Sequence, residues 1–489
     1  MCGLLIGVKL KTDKLRIVFP VASHIARRHA TGQGGMKMWD RWKNRVLRGL
    51  ALVTLASGLQ PTWALPAYAR QTGQNCVACH VSFPELTPYG RLFKLTGYTI
   101  GLRQDVPLAA MIQVGVASTA SNHDANGNVI NPRNDVIAPS QGSLFLAGKA
   151  TDNIGAFIQW TFAYQNIDPN SGNVYWHSGS DNTDIRIVGM SADAAETELK
   201  WIYGATLHNN PTAQDVWNST PAFGFPYTGP PNVPSPTAAT QIEGAWAQQV
   251  AGLGGYVFYD KTWYGEASLY RTADGVFSIL RAGNWAGLGS GPSLDGYNPY
   301  VRFAYNRDWG ANSLMVGMFG WRINVFPNDL IHNGPTDRFT DLAVDSQYQY
   351  ITQEHTFTVQ GSLIHESQNL NATYPAGGAA NLNNTLWSDK IKATYYYERQ
   401  YGVTLGLFDI YGSNDAILYA PGTVGGSSNG SPASKGYIVE LNYLPIQNVR
   451  LMLQYTGFTK FNGGTTNYDG FGRTARDNNT LFLNVWAAF

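Results

Sequence analysis

Cys76 and Cys79 stand two residues apart and His80 follows directly, the spacing by which a c-type haem is attached. Each thiol adds across one vinyl group of the porphyrin, and the adjoining imidazole is held beneath the iron as an axial ligand. The competing readings are a surface turn or half of a zinc site. A zinc site needs further thiols or imidazoles at ligand spacing, and none lie near this stretch. The only other cysteine is Cys2, which falls in a leader expected to be removed. One covalent haem c, held by Cys76 and Cys79 with His80 on the iron, is therefore the expectation. No acid–base or nucleophile constellation is found beyond the haem.

The sixth iron ligand has no local source. No His or Met occurs from Val81 to Ala110, so that position falls to Lys94, Tyr89, a residue further along the chain, or nothing. Met111 is the nearest soft donor, although a Met on a strand is more often wall packing. His177 and His208 flank long loops and are the imidazole candidates. An open position would allow small-ligand chemistry such as peroxide reduction, whereas a filled one favours pure electron transfer. Pro84 to Tyr98 reads as a turn, a short helix and a Gly turn, with Tyr89, Leu92, Phe93 and Leu95 suited to cover a porphyrin face or to pack on one another.

Residues 37 to 64 carry the marks of a secretory signal. Lys37, Arg41, Lys43, Arg45 and Arg48 form a basic start, Gly49 to Leu59 an apolar run, and Thr62-Trp63-Ala64 a small-residue cleavage site. The apolar run is shorter than the roughly 18 residues a membrane helix needs. Met36 or Met38 is the expected start, with residues 1–35 an over-extended reading frame. The whole chain has 34 Lys+Arg against 33 Asp+Glu, and residues 1–64 hold 11 and 2 of them, leaving 23 against 31 and a formal net charge of −8. That balance argues against nucleic acid as a partner.

From Pro107 to Phe489 no long amphipathic helix is legible, and short alternating runs recur. Val449, Leu451, Leu453 and Tyr455 share one face against Arg450, Met452 and Gln454; Tyr437, Val439, Leu441 and Tyr443 oppose Glu440 and Asn442; Ile391, Ala393, Tyr395 and Tyr397 oppose Lys390, Lys392, Thr394 and Tyr396. One apolar face with aromatic ends and one polar face is the pattern of an outer-membrane barrel. By the same parity His355 and His365 face lipid. Connections alternate between short and long. The short ones fall at 152–153, 191–197, 260–261, 307–310, 350–353, 400–401 and 444–448; the long ones fall at 119–141, 167–181, 209–241, 273–296, 323–337, 366–386, 413–435 and 461–478. This predicts an all-β, sixteen-stranded antiparallel barrel with short periplasmic turns and long outer loops, wide enough for an aqueous lumen. The Pro-rich loop 209–241 reads as a solvated lid. Leu481, Leu483, Val485, Ala487 and Phe489 place a terminal aromatic on the final strand, like the signal read by outer-membrane assembly machinery. The domains expected are 1–64 leader, 65–104 monohaem cytochrome segment and 105–489 barrel. The middle piece is too small for its own core and must lean on the haem and the barrel.

Leu65 to Gly73, then Cys76 to His80, then Pro84 to Leu95 (PELTPYGRLFKL) resemble the fused outer-membrane cytochrome–porins of iron-oxidising bacteria. The likeness is specific over residues 65–98 and architectural across the barrel. It implies Cys76 and Cys79 as thioether anchors, His80 as axial ligand, Fe(II) at the cell surface as electron donor, and a periplasmic cytochrome c or copper protein as acceptor. Relatives with other donors share the haem stretch, so the donor rests on analogy. Outer-sphere oxidation of an aquo ion needs no general acid. Glu440, Glu398, Asp124 and Asp181 are carboxylates that could hold the ion briefly, each more often ordinary lumen or loop polarity. Lys390, Lys392 and Arg450 make the lumen mixed in charge. A diffusion porin whose haem only stabilises the mouth is the reading of a different class.

Overall fold

The computed structural model describes residues 66–167, 174–192, 199–282, 292–327 and 333–489. The expected leader, its cleavage site and Cys2 lie outside the described residues. The chain opens with α1 (Ala67–Thr72), α2 (Cys76–Cys79), a small hairpin of β1 (His80–Ser82) and β2 (Glu85–Leu86), and α3 (Pro88–Leu95). The wall follows as β3 (Leu108–Thr119), β4 (Ala138–Lys149), β5 (Ile154–Ile167), β6 (Val174–Ala192), β7 (Leu199–His208), β8 (Val250–Tyr259) and β9 (Trp263–Thr272). It continues as β11 (Asn298–Trp309), β12 (Asn312–Phe326), β13 (Asp337–Ile351), β14 (His355–Asn369) and β15 (Asn383–Tyr397), with β10 (Ser293–Leu294) extending the edge beside β12. It ends with β16 (Tyr401–Gly412), β17 (Ser434–Ile446), β18 (Val449–Lys460) and β19 (Thr480–Ala488). Each neighbour pair is antiparallel, β9 pairs with β11, and β19 returns to β3 through Leu483 opposite Val116. The result is a closed barrel of sixteen wall strands, as the alternating loops predict.

The alternation of side chains sorts as expected. On β15, Ile391 is 51% exposed on the outer face while its neighbour Lys392 is 3% exposed in the lumen. His355 and His365 sit among aromatic residues of that outer face, His355 beside Tyr395 and Tyr397 and His365 beside Trp387. An apolar outside around a polar inside is the inverse of a soluble domain and places the barrel in an outer membrane. The turn expected at 400–401 lies two residues earlier. Glu398 and Arg399 take φ of 48° and 55°, as Asp260 and Lys261 do at 52° and 54°. Two successive positive φ values give the tight hairpin whose twist matches the strands. Neither Glu nor Arg advertises that conformation, which is why the sequence misplaces the turn.

The loop from β7 to β8, residues 209–249, is not a solvated lid. It folds into the lumen, with Thr212, Val216, Trp217, Thr220 and Thr240 wholly buried. Wall side chains satisfy its polar groups: Asp215 pairs with Arg302 at 3.2 Å, Ser219 donates to Asp345 at 2.6 Å, Trp217 donates to Asn306 at 3.3 Å, and Asp341 accepts from the Ile242 amide at 2.8 Å. Loop polarity here is the complement of lumen polarity.

Candidate cofactor site in the barrel lumen

α2 is a single helical turn, and a spacing of three along a helix puts Cys76 and Cys79 on one side. His80 leaves the helix at φ −122°, ψ 136°, so its ring departs as the chain enters β1. Thr87 then ties the motif to α3. Its amide donates to Cys79 O at 2.9 Å, its hydroxyl donates to Ala78 O, and it caps α3 by accepting from Gly90 N at 3.2 Å, with Pro88 at the first helical position. Gly90 is where α3 crosses α2. A Cβ there would stand 2.2 Å from Cys79 O, so the approach requires glycine.

The segment is fixed inside the short-turn end of the barrel. Arg399, in the turn between β15 and β16, donates to Val77 O at 2.9 Å, between the two cysteines. Deeper contacts run from Arg450 to Phe83 O at 3.0 Å, from Gln349 to Leu86 O at 2.9 Å, and from Arg91 to Gln349 and Ser313 at 2.8 and 2.6 Å. Glu85 pairs with Lys392 and accepts from Tyr227 of the infolded loop. On the other side Tyr98 donates to Asp184 at 2.6 Å, and Asp184 holds Arg186 at 2.8 Å. The lumen wall therefore supplies what a segment of this size cannot supply from its own core.

Cys76, Cys79 and His80 open on one cavity of about 170 Å³, shared with Tyr68, Phe93, Tyr98, Phe157 and Phe223. A second cavity of about 470 Å³ shares His80, Tyr68, Phe83 and Phe157 with the first and runs along the wall to Met111, Gln113, Asp181 and Trp486. The two thiols are not bonded to each other. Burial pushes both thiols up, Cys79 to about 11 with Cys76 adding to it, so both are protonated. Burial pushes the His80 imidazole down to about 4, leaving it neutral, which is the form that binds a metal. Its Nδ1 is buried without a hydrogen-bond partner. Two thiols a turn apart, a neutral imidazole beside them and a cavity around all three that includes Tyr68, Phe83, Phe93, Tyr98, Phe157 and Phe223 fit a covalent haem held by Cys76, Cys79 and His80.

The other sequence candidates separate. Met111 lines the second cavity together with His80. Lys94 lines the first, but its Nζ donates to Ala213 O, Asp215 O and Asn218 Oδ1 at 2.7, 2.6 and 2.9 Å. Burial and the nearby Arg186 push Lys94 down to about 7. His208 is fully buried, 2.6 Å from the Tyr270 hydroxyl, and His177 pairs across the strand with Ala163; neither lines either cavity. Of the four α3-region residues expected over a porphyrin, only Phe93 faces the motif; Tyr89, Leu92 and Leu95 line a separate cavity of about 440 Å³ with Arg91 and Trp217. Glu440 is bound to Arg450, and Asp124 accepts from the amides of Asn126 and Asn128 at 2.8 Å in an exposed loop. Glu398 lies in a short turn, and Asp181 alone of the four carboxylates reaches the cavity beside His80. Sequence reasoning missed Tyr68, Phe157 and Phe223. Phe157 was readable as a lumen-side aromatic, but Phe223 comes from the infolded loop and carried no signal. Among the described residues no group of three or more His, Cys, Asp or Glu is placed to hold a metal ion.

No protein-family model matches the chain, and no curated protein matches it in sequence. Similar solved structures include the outer membrane channel DcaP of Acinetobacter baumannii, at TM-score 0.43 and 11% identity over 78% of this chain and 96% of that one. The anion-selective porin from Comamonas acidovorans gives TM-score 0.41 and 12% identity over 78% of this chain and 98% of that one. OmpT of Vibrio cholerae gives 0.41 and 9%, over 79% and 99%. Likeness at this level bears on neither substrate nor cofactor.

Proposed function

We propose that this chain is an outer-membrane cytochrome that takes electrons from Fe(II) outside the cell and delivers them to a periplasmic cytochrome c or copper protein. The observation that carries the reading is the presentation of Cys76, Cys79 and His80 to one aromatic cavity at the short-turn end of the lumen. Outer-membrane barrels turn that end toward the periplasm. Bound there, a haem supplies a one-electron store on the side from which a soluble carrier approaches. The chain's own residues hold the motif through Arg399 and Thr87 and line the cavity with the apolar surface of Tyr68, Phe93, Phe157 and Phe223. The membrane interior to be crossed is roughly 25 Å tall, which lipid would insulate. The likeness of residues 65–98 to the cytochrome–porins of iron oxidisers supports Fe(II) as donor, with another donor as the alternative on the same architecture.

The reading of a diffusion porin with a structural haem is disfavoured by what fills the lumen: residues 66–100 from one end and the loop 209–249 from the other. Stopped-flow mixing of the oxidised purified protein with Fe(II) decides. Rapid haem reduction supports iron oxidation, and reduction only by other donors supports the alternative donor. A protein without covalent haem overturns both.

A further inference from the structure

We propose that Met111 supplies the sixth ligand of the haem, through its thioether sulfur on the side away from His80. This rests on the reading of Cys76, Cys79 and His80 as a haem site. Four observations point to it.

Met111 stands on the lumen face of β3. It is 6% exposed and the next residue, Gln113, is 2%, while Ile112 between them is 41% exposed on the lipid face. Packing against lipid is therefore not its role. It also belongs to none of the buried apolar clusters of the barrel. Its cross-strand neighbours are Ser143 and Ala488, a polar and a small residue. A soft side chain set among polar and small ones in a lumen calls for a partner that the protein alone does not give it.

The second observation is that His80 and Met111 border one cavity, with Phe83 and Trp486 along its wall. The His80 ring lies 5.2 Å from the Phe83 ring, and Phe83 lies 6.0 Å from Trp486. Trp486 is paired with Gln113, and two residues on Ala488 is paired with Met111. The cavity they share has a volume of about 470 Å³. Third, small residues, among them Ala109, Ala110, Ala147 and Gly224, keep that cavity open between them.

Elimination is the fourth. Apart from His80 and the two cysteines, Met111, Lys94 and the tyrosines Tyr68, Tyr98 and Tyr227 are the side chains in the walls of the two cavities with donor atoms suited to a haem iron, and the three phenols already donate to Ala156 O, Asp184 and Glu85. Lys94 Nζ is held among three oxygens of the infolded loop, Ala213 O, Asp215 O and Asn218 Oδ1. The thioether of Met111 carries no such commitment. A thioether axial ligand raises the reduction potential relative to a second imidazole, as it does in cytochromes c. That suits a carrier reduced by a weak donor.

The test compares the purified wild type with Met111→Leu, Met111→His and, as a control, Met452→Leu, a lumen methionine packed in an apolar cluster. Covalent haem is quantified in every sample by the pyridine haemochrome assay. The expected wild-type ferric spectrum carries the weak far-red charge-transfer band of thioether-to-iron ligation, and the ferrous protein resists carbon monoxide. M111L loses the band and binds carbon monoxide, M111H loses the band while remaining closed to carbon monoxide, and M452L keeps the wild-type spectrum. The wild-type measurement stands even if a variant does not assemble. Haem present with no far-red band in the wild type overturns the assignment to Met111 and leaves the haem site standing, as does an M111L spectrum that matches the wild type. A wild type without haem overturns both.

Discussion

The ammonium of Lys392, on the lumen face of β15, meets the carboxylate of Glu85 on the N-terminal segment, and the Tyr227 hydroxyl of the infolded loop donates to the same carboxylate at 2.9 Å. Wall, segment and loop are joined at one point, where the Lys392 and Glu85 side chains are 3% and 1% exposed and Tyr227 is half-buried. Two polar elements in one lumen must settle their charges against each other or against the wall, and here both are done at once. Lys392→Met leaves a buried carboxylate without its counter-charge, which costs about 3–5 kcal/mol. The expected outcome is release of residues 66–104 to protease while the barrel stays resistant. Adding Glu85→Gln to Lys392→Met restores protection. Equal cleavage of the single and double variants would show that the pair does not hold the segment.

Gly90 sets how closely α3 approaches the Cys76–Cys79 turn. Gly90→Ala forces its new methyl against Cys79 O, and overpacking of this kind costs about 1–3 kcal/mol. The shift moves Cys79 relative to Cys76, so the haem-to-protein ratio should fall even where the barrel assembles. Gly142→Ala, where nothing lies within 4 Å, serves as control. Unchanged haem content in the first variant would disprove the packing argument.

Asp415, in the loop between β16 and β17, clamps two outer loops together. It accepts from the amides of Ala380, Asn381 and Leu418 at 2.8, 3.0 and 2.9 Å, and from Asn384 Nδ2 at 3.0 Å. Burial would raise its pKa, but the Leu418 and Ala380 amides outweigh it and bring the carboxyl down to about 2. A depressed carboxyl stabilises the folded loops fully above its unfolded value of about 4, and the stabilisation is lost as pH falls through about 2. An acid-active protease should therefore spare loops 370–382 and 413–433 at pH 4 and cut them faster at pH 2. Asp415→Asn should be cut at both. A cleavage rate that does not change with pH in the wild type would refute the clamp.

Strand number, closure and facing were legible because they depend on local alternation, and residues such as Ile391 and Lys392 sort by parity alone. The motif Cys76–His80 was legible because its chemistry is written in five adjacent residues. The inward path of residues 209–249 was not. Its Pro and polar content reads as solvent exposure, and only partners more than 80 residues away, Asn306 and Asp345, turn it into burial. The same long range hid Phe223 from the site, whereas Phe93 parts from Tyr89, Leu92 and Leu95 locally, because those three recur every third residue along α3 and share a face that Phe93 does not.

Arg302 bears on whether the lumen conducts. Its guanidinium lies 3.2 Å from Asp215 of the infolded loop and 2.9 Å from Asp345 of the wall, all three wholly buried. A sixteen-stranded barrel is wide enough for a water-filled channel, so a closed state depends on the N-terminal segment at one end and on the loop staying down at the other. Arg302→Ala leaves two carboxylates facing each other without their shared cation, a loss of about 3–5 kcal/mol. The repulsion falls on the loop, because Asp345 is fixed in β13 by its strand pairing while Asp215 is held by the loop and by Lys94 of α3. In planar bilayers the wild type should pass little current, and Arg302→Ala should show bursts above the wild-type level, short of an unobstructed porin because the N-terminal segment still occupies the other end. If wild type and variant conduct alike, the loop is not what closes the barrel.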